Sequence, residues 1–277
     1  MILVTGATGN IGSALLRGLH ACGVGPLRGL TRDASRATFP EGVEAVEGDF
    51  AEPESLKPAL DGVRSLFLVS RLGPDAEIID AARLAGVEHV VLVSSITVQT
   101  HPYLGPADEN LAVELLLKDS GLAWTILRPT QFASNALMWA ASIRDHQTVR
   151  APYADTGLPT IHPADIASVA RVALTEPGHK ERTYALTGPE PVTARQQVEA
   201  IAAAIGRSVP FIEISRQEAH AQMAAVFGDE AAGAVLDVTG GDVNDELLTV
   251  RDTVLQVTGS QARSFRQWAA ENADLFR

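Results

Sequence analysis

Val4-Thr5-Gly6-Ala7-Thr8-Gly9-Asn10-Ile11-Gly12 joins a short apolar run at residues 2–5 to an amphipathic stretch of helical length at residues 10–21. Glycines at G-x-x-G-x-x-G spacing between a strand and a helix meet three separate steric demands. Gly6 permits the sharp turn, Gly9 lets the backbone approach a pyrophosphate, and Gly12 lets the helix lie close to the sheet. The start of the helix then offers unpaired N–H groups and a positive dipole end to phosphates. The segment reads as a dinucleotide-binding turn, with Gly6, Thr8, Gly9, Asn10, Ile11 and Gly12 against the cofactor.

Outward from this turn, short apolar runs alternate with amphipathic stretches, the rhythm of βαβ units in an α/β fold with a doubly wound parallel sheet of Rossmann type. Strands are expected at 2–5, 27–31, 43–47, 65–69, 89–94 and 124–127, and helices at 10–21, 52–60, 75–85, 107–119 and 131–143. The strands are nearly all apolar, as strands covered on both faces must be. After residue 143 the rhythm breaks into short extended pieces and irregular helical stretches. Residues 1–150 are expected to form the dinucleotide-binding domain, completed by strands near 159–162 and 183–186. Residues 187–277 are expected to form mainly a smaller, partly helical substrate lobe, interleaved with the first domain. Its glycines 228, 233, 240 and 241 suggest a mobile roof.

Composition narrows the possibilities. The 277 residues carry 22 Lys and Arg against 34 Asp and Glu, a formal charge of −12, with no basic run to track a phosphate backbone, so no nucleic-acid partner is expected. A hydrophobic fraction of 46% belongs to a folded globular chain. The one cysteine, Cys22, leaves no disulfide framework, and the seven histidines lack ligand spacing, so no metal is expected. No signal segment or ~18-residue apolar stretch is visible, giving an expected cytoplasmic protein without a membrane partner, monomeric or homodimeric.

The end of the second expected strand selects the dinucleotide. An NAD-binding chain commonly has an acid about 20 residues beyond the last glycine, on the ribose 2′-hydroxyl. Here the run is Thr31-Arg32-Asp33: Arg32 could grip a 2′-phosphate bidentately and Thr31 could add a hydroxyl. NADP(H) is therefore favoured over NAD(H), with Asp33 keeping NAD open. Asp49 and Phe50, in Gly48-Asp49-Phe50, are placed to meet the adenine edge, although a simple turn explains them as well.

The opening Thr-Gly-Ala-Thr-Gly-Asn-Ile-Gly, the Thr-Arg-Asp and Gly-Asp-Phe runs, Ala107-Asp108-Glu109-Asn110 and Leu127-Arg128-Pro129-Thr130 resemble the NmrA-like branch of atypical short-chain dehydrogenases, in particular type 2 NAD(P)H:quinone oxidoreductases. The resemblance spans residues 1–185 and fades beyond them. It implies an extended Rossmann domain with a smaller lobe and NADP(H) in the cleft between, contacted also by Val69, Ser70, Ser94, Pro129 and Thr130. It does not imply one activity, since relatives include reductases and regulators that bind the dinucleotide without turning it over.

Ordinary short-chain dehydrogenases protonate a carbonyl with a Tyr-x-x-x-Lys pair. The three tyrosines, Tyr103, Tyr153 and Tyr184, are followed four positions later by Ala107, Gly157 and Gly188, so the pair is missing. Where the resembling families commonly have Lys or His, this chain has Asn110, which cannot deliver a proton at neutral pH. Asn110 is either a cofactor or substrate contact or a plain helix-surface residue, and Glu114, one turn on, is either a site residue or a solvated charge. Ser95, His101 and Tyr103 are the other catalytic candidates. Phe132, Asn135, Met223 and Phe227 are the candidates for a substrate pocket, with ordinary packing as the competing reading.

Reduction of an isolated ketone makes an alkoxide that needs an acid in place, whereas a quinone or enone gives a delocalised anion that solvent can protonate later. The expected function is therefore hydride transfer from NAD(P)H to a small quinone or other conjugated or aromatic carbonyl compound. The alternative is a non-catalytic NADP(H) sensor acting through protein partners.

Overall fold

A computed structural model describes residues 1–277. Seven parallel strands, β1 (Ile2–Val4), β2 (Leu27–Thr31), β3 (Glu44–Glu47), β4 (Ser65–Val69), β5 (His89–Val93), β6 (Ala123–Pro129) and β8 (Arg182–Leu186), form one sheet in the order β3-β2-β1-β4-β5-β6-β8. β7 (Val149–Ala151) and β9 (Phe211–Glu213) pair with each other outside it. The strand order reverses between β1 and β4, so the loops leaving their carboxyl ends diverge and open a crevice there.

Each central strand sends alternate side chains to opposite faces. In β5, Val91 and Val93 join a core with α1 (Asn10–Ala21), while Val90 and Leu92 join another with α2 (Lys57–Leu60) and α3 (Asp75–Leu84). After β5 come the single turn α4 (Thr97–Thr100) and the long α5 (Gly105–Asp119), which packs into the α3 layer. Beyond β6 the expected helix at 131–143 divides into a 3₁₀ stretch, Ala133–Trp139, and α6 (Ala140–His146). No helix is long and apolar enough to cross a membrane.

Two expectations change. The strand expected at 159–162 does not form, and a single bridge, Phe132 to Ile161, is all that pairs there. Thr160 and His162 are buried, Ile161 donates its amide to the Gln131 carbonyl and His162 caps the following helix, so this piece is a crossing between layers. The boundary at 150 also moves. α7 (Pro163–Thr175) lies against α1 and supplies Ile166, Val169, Ala170 and Ala173 to the sheet core, whereas Ala133, Ala136, Ala140, Ile143 and Val149 belong to the second core. Only a narrow stripe of α7, Ala164, Ser168, Arg171 and Thr175, faces outward, and its other faces are buried.

That second core is completed by α8 (Ala194–Ile205), which opens on a Thr193/Gln196 capping box, and by the aromatic group Phe265, Trp268 and Phe276 near the carboxyl terminus. Between them run α9 (Arg216–Phe227), α10 (Asp229–Leu236), α11 (Asp245–Leu248) and α12 (Thr253–Thr258), and α13 (Phe265–Glu271) carries Phe265 and Trp268. α9 to α11 roof the carboxyl edge of the sheet.

At the opposite edge, His89 donates from Nε2 to Thr125 Oγ1 at 2.9 Å, and Thr125 donates to the His179 carbonyl at 2.7 Å. Burial, together with Lys180 and His179, pushes the His89 pKa down to about 4. The unfolded chain therefore takes up a proton near pH 6.5 that the folded chain refuses until about pH 4, and this group's contribution to stability falls as pH drops through that window. The full loss is about 3 kcal/mol. His89→Gln, which keeps a donor to Thr125, is expected to make urea stability between pH 7 and 4.5 fall less than in the wild type; an unchanged difference would remove His89 as a source of the acid limb.

Candidate active site

Gly6 adopts φ +56°, and its carbonyl accepts from the Gly9 amide at 2.8 Å. A Cβ on Gly12 would lie 2.3 Å from that carbonyl oxygen, and one on Gly9 would lie 3.2 Å from it. Gly12 therefore serves first the close approach of helix to turn. The amides of Thr8, Asn10, Ile11 and Gly12 have no acceptor within the protein, and α1 has neither a side-chain cap nor an acid in its first turn. Such an end suits a pyrophosphate. Thr8, Gly9 and Asn10 are exposed, whereas the Ile11 side chain is buried in the sheet core, leaving only its amide to offer.

At the end of β2, Arg32 is exposed and makes no hydrogen bond or ion pair. Asp33 is turned away, accepting from the Ser35 amide at 3.0 Å and the Ser35 hydroxyl at 2.6 Å, while Thr31 is tied to the Asp33 backbone. Arg36, which sequence reasoning passed over, is a second exposed arginine in the same turn, likewise without a partner. Asp49 accepts from the Ala51 amide at 2.9 Å, and the Phe50 backbone lies so near Gly73 that a Cβ there would be 2.4 Å from the Phe50 carbonyl. The loops after β3 and β4 are thus held together beside the crevice.

The remaining candidates gather where β4, β5 and β6 end. Val69 faces Gly6, at 3.8 Å from where a Gly6 Cβ would stand. The Ser70 hydroxyl has two acceptors, Asn110 Oδ1 at 2.8 Å and the Val93 carbonyl at 2.9 Å. Asn110 is buried and donates to the Pro106 carbonyl at 2.8 Å. It is buried rather than a surface residue, and it fastens α5 to the end of β4. One turn later Glu114 is fully buried rather than solvated. It accepts from Ser94 Oγ at 2.7 Å and from Arg128 Nε at 2.8 Å and Nη2 at 2.6 Å, a bidentate ion pair. Arg128 also reaches Gln99 Oε1 at 3.3 Å, and Gln99 donates to Glu246 on α11 at 2.8 Å.

Several site expectations are corrected by these bonds. His101 is completely buried, with Nδ1 2.8 Å from the Thr100 hydroxyl and Nε2 donating to the Asp242 carbonyl at 2.6 Å, so it is no solvated proton donor. Tyr103 donates to the Asp242 carboxylate, and this hydrogen bond raises its pKa, the wrong direction for an acid. Both residues instead clasp the roof to the loop after β5, joined by Asn244 donating to the Thr100 carbonyl at 2.8 Å. Ser95 accepts from the Thr97 hydroxyl at 2.8 Å and amide at 3.2 Å, starting α4. Pro129 is buried, and the Thr130 hydroxyl donates to the Pro159 carbonyl at 2.7 Å.

Phe132 packs on the sheet core, and Met223 packs beside Ile214, Ala219 and Leu236. Asn135 is exposed, as is Phe227 at 57%. Gly240 and Gly241 do not loosen the roof. A Cβ on Gly240 would stand 2.3 Å from the Tyr153 ring, and one on Gly241 would stand 2.2 Å from Arg216, so both are glycine for close packing.

Asp165 lies in the first turn of α7 and joins it to the segment before α13. It is buried and accepts the Arg263 amide at 2.7 Å and the Arg263 guanidinium. Beside it His162 caps α7 through Nδ1, and burial lowers its pKa, favouring the neutral ring that can accept there.

Comparison with known proteins agrees with this geometry. Residues 6–177 match the model of a family described as NAD(P)H-binding. The chain is 38% identical to the (4-alkanoyl-5-oxo-2,5-dihydrofuran-3-yl)methyl phosphate reductase of Streptomyces griseus, aligning 100% of this chain with 99% of that protein. It is 36% identical, at 100% and 99% coverage, to the NAD(P)H azoreductase of Xenophilus azovorans. Among solved structures, an NADPH-dependent quinone oxidoreductase of Escherichia coli complexed with NADPH superposes with a TM-score of 0.80 at 26% identity, covering 98% of this chain and 99% of that one.

Proposed function

Because this chain belongs to the NAD(P)H-binding family, we propose that it is a reductase that takes hydride from NADPH and delivers it to a quinone or another conjugated carbonyl compound. The observation that carries this reading is the engagement of both candidate proton donors at the carboxyl edge: Tyr103 on Asp242, and His101 on Asp242 and Thr100. An acceptor whose reduced form spreads its charge over a conjugated system needs no acid at the moment of transfer. The relatives' names concern azo, quinone and oxo-dihydrofuran acceptors, all of them conjugated.

Bound NADPH supplies the hydride. The amides at the start of α1 hold the pyrophosphate, and Arg32 holds the 2′-phosphate, with Asp33 engaged elsewhere. Glu114 takes the Ser94 hydroxyl hydrogen, so Ser94 faces the crevice as an acceptor only. The clasped roof excludes water while hydride moves, and the product anion is protonated from solvent afterwards.

The test is the rate of NADPH and NADH consumption against a panel of small and polycyclic quinones, expected to show turnover with NADPH preferred. Arg32→Ala is expected to weaken NADPH roughly 10- to 100-fold through loss of charge-assisted hydrogen bonds, with NADH little changed. Equal losses for both would remove Arg32 as the selector. No turnover in protein that binds NADPH would sink the reductase reading.

A further inference from the structure

A pyrophosphate is negative on both of its phosphates, and the turn that meets it has no cation to set against them: residues 5–13 contain neither Lys nor Arg. The dipole of α1 supplies only about half a charge. A basic side chain has to come from another loop at the carboxyl edge. The loops that leave β3 (48–52), β5 (94–104), β6 (130–132) and β8 (187–193) hold no Lys or Arg. His101, in the second of these, is buried with both ring nitrogens engaged. Arg128, near the end of β6, is bound to Glu114. Arg32 and Arg36 follow β2, on the side given to the ribose 2′-phosphate. The remaining cation among these loops is Arg71, in the loop after β4 (70–74).

That loop borders the turn. β4 pairs with β1, the Val69 amide donates to Thr5 Oγ1 at 3.3 Å, and Val69 Cγ2 is 3.8 Å from where a Gly6 Cβ would stand. Arg71 lies two residues on, within about 7 Å of Val69 along the chain. Its backbone is held at φ +63°, in the left-handed region, and its amide donates to the Asp75 carboxylate at 3.0 Å. Backbone strain of this kind persists only where the surroundings over-determine it, and it gathers at ligand clamps. The guanidinium pairs with Glu109 on α5 at 2.5 Å, but the two side chains are 42% and 60% exposed. So open an ion pair contributes little and is readily exchanged for a stronger partner.

We propose that Arg71 is a pyrophosphate ligand: when the dinucleotide binds, its guanidinium leaves Glu109 and closes on the phosphate oxygens opposite the α1 amides. This rests on the cofactor half of the reading above and is independent of which acceptor is reduced. The guanidinium fork suits phosphate oxygens, and in the half-closed crevice it meets a fuller charge with less water than at Glu109. Arg71 thereby reads the part that NADPH and NADH share. It raises affinity for both, whereas Arg32 selects between them.

The experiment measures dissociation constants of NADPH and NADH by fluorescence titration, and of adenosine 2′-monophosphate by competition against NADPH. The variant is Arg71→Gly, which removes the side chain and suits the left-handed backbone. It is expected to weaken NADPH and NADH alike by about tenfold, and to leave adenosine 2′-monophosphate, which has no pyrophosphate, unchanged. Glu109→Gln, which removes only the competing carboxylate, is expected to bind both dinucleotides at least as tightly as the wild type. Unchanged dinucleotide binding in Arg71→Gly overturns the inference, as does a loss confined to NADPH. An equal loss for all three ligands overturns it too, since that is what a merely structural tie between the loop and α5 would give, and so does weaker binding in Glu109→Gln. A wild type that binds neither dinucleotide overturns the cofactor reading itself.

Discussion

Glu114→Ala should lower the unfolding free energy by about 3–5 kcal/mol, because it strands Arg128 without its counter-charge in a half-closed site. Glu114 is 0% exposed and holds Ser94, just past β5, and two nitrogens of Arg128 on β6, with Lys118 Nζ 3.7 Å away. In a chain of this size that loss corresponds to a fall in Tm of roughly 10 °C. Most of it is the penalty of leaving one charge alone, so the double replacement Glu114→Leu with Arg128→Met should recover much of the stability. Thermal scans of the single and double variants separate the cases. A double variant as unstable as the single one would show that the pair does more than neutralise itself, with the bond to Ser94 the next element to examine.

Gly12→Ala should reduce NADPH affinity at least about 100-fold, or about 2.7 kcal/mol, while leaving most of the fold intact. The added methyl would stand 2.3 Å from the Gly6 carbonyl oxygen and 3.0 Å from the Ala7 Cα, both backbone atoms that cannot rotate aside. The turn must shift, and with it the four free amides proposed above to hold the pyrophosphate. Gly9→Ala, with its Cβ 3.2 Å from the same oxygen, strains the turn less and should do harm mainly by occupying the ligand's space. Titration of NADPH fluorescence ranks the two. Equal and small losses would mean that the turn tolerates displacement and that the pyrophosphate is held elsewhere.

What the sequence made legible is what short-range physics governs. The expected bounds of α1 and of β2 and β4 agree with the structure, because each follows a glycine or proline turn and carries an apolar pattern of its own. The dinucleotide turn was readable for the same reason. The reaction edge was not, since its side chains are defined by partners far away in the chain. His101 meets Asp242, Gln99 meets Glu246, and Asn110 meets Ser70. A loop histidine and a helix-face glutamate look solvated until the roof and the neighbouring strand close on them. Glu114 and Arg128 carried one available signal, opposite charges on a helix and on the strand after it, both facing the same sheet edge.

The strand that ends the sheet, β8, is reached only after the chain has left the sheet at residue 130, built part of the second core and returned through α7. Substrate preference in such an architecture does not travel as a cassette. A chimera joined by one crossover near residue 187 would carry a relative's α8–α13 but retain this chain's 133–151, so β7 of one parent would have to pair with β9 of the other, and Ile143 with the other parent's aromatic cluster. Recombination between relatives would have to exchange at least two separated segments together. Point changes on the roof leave both of these pairings intact.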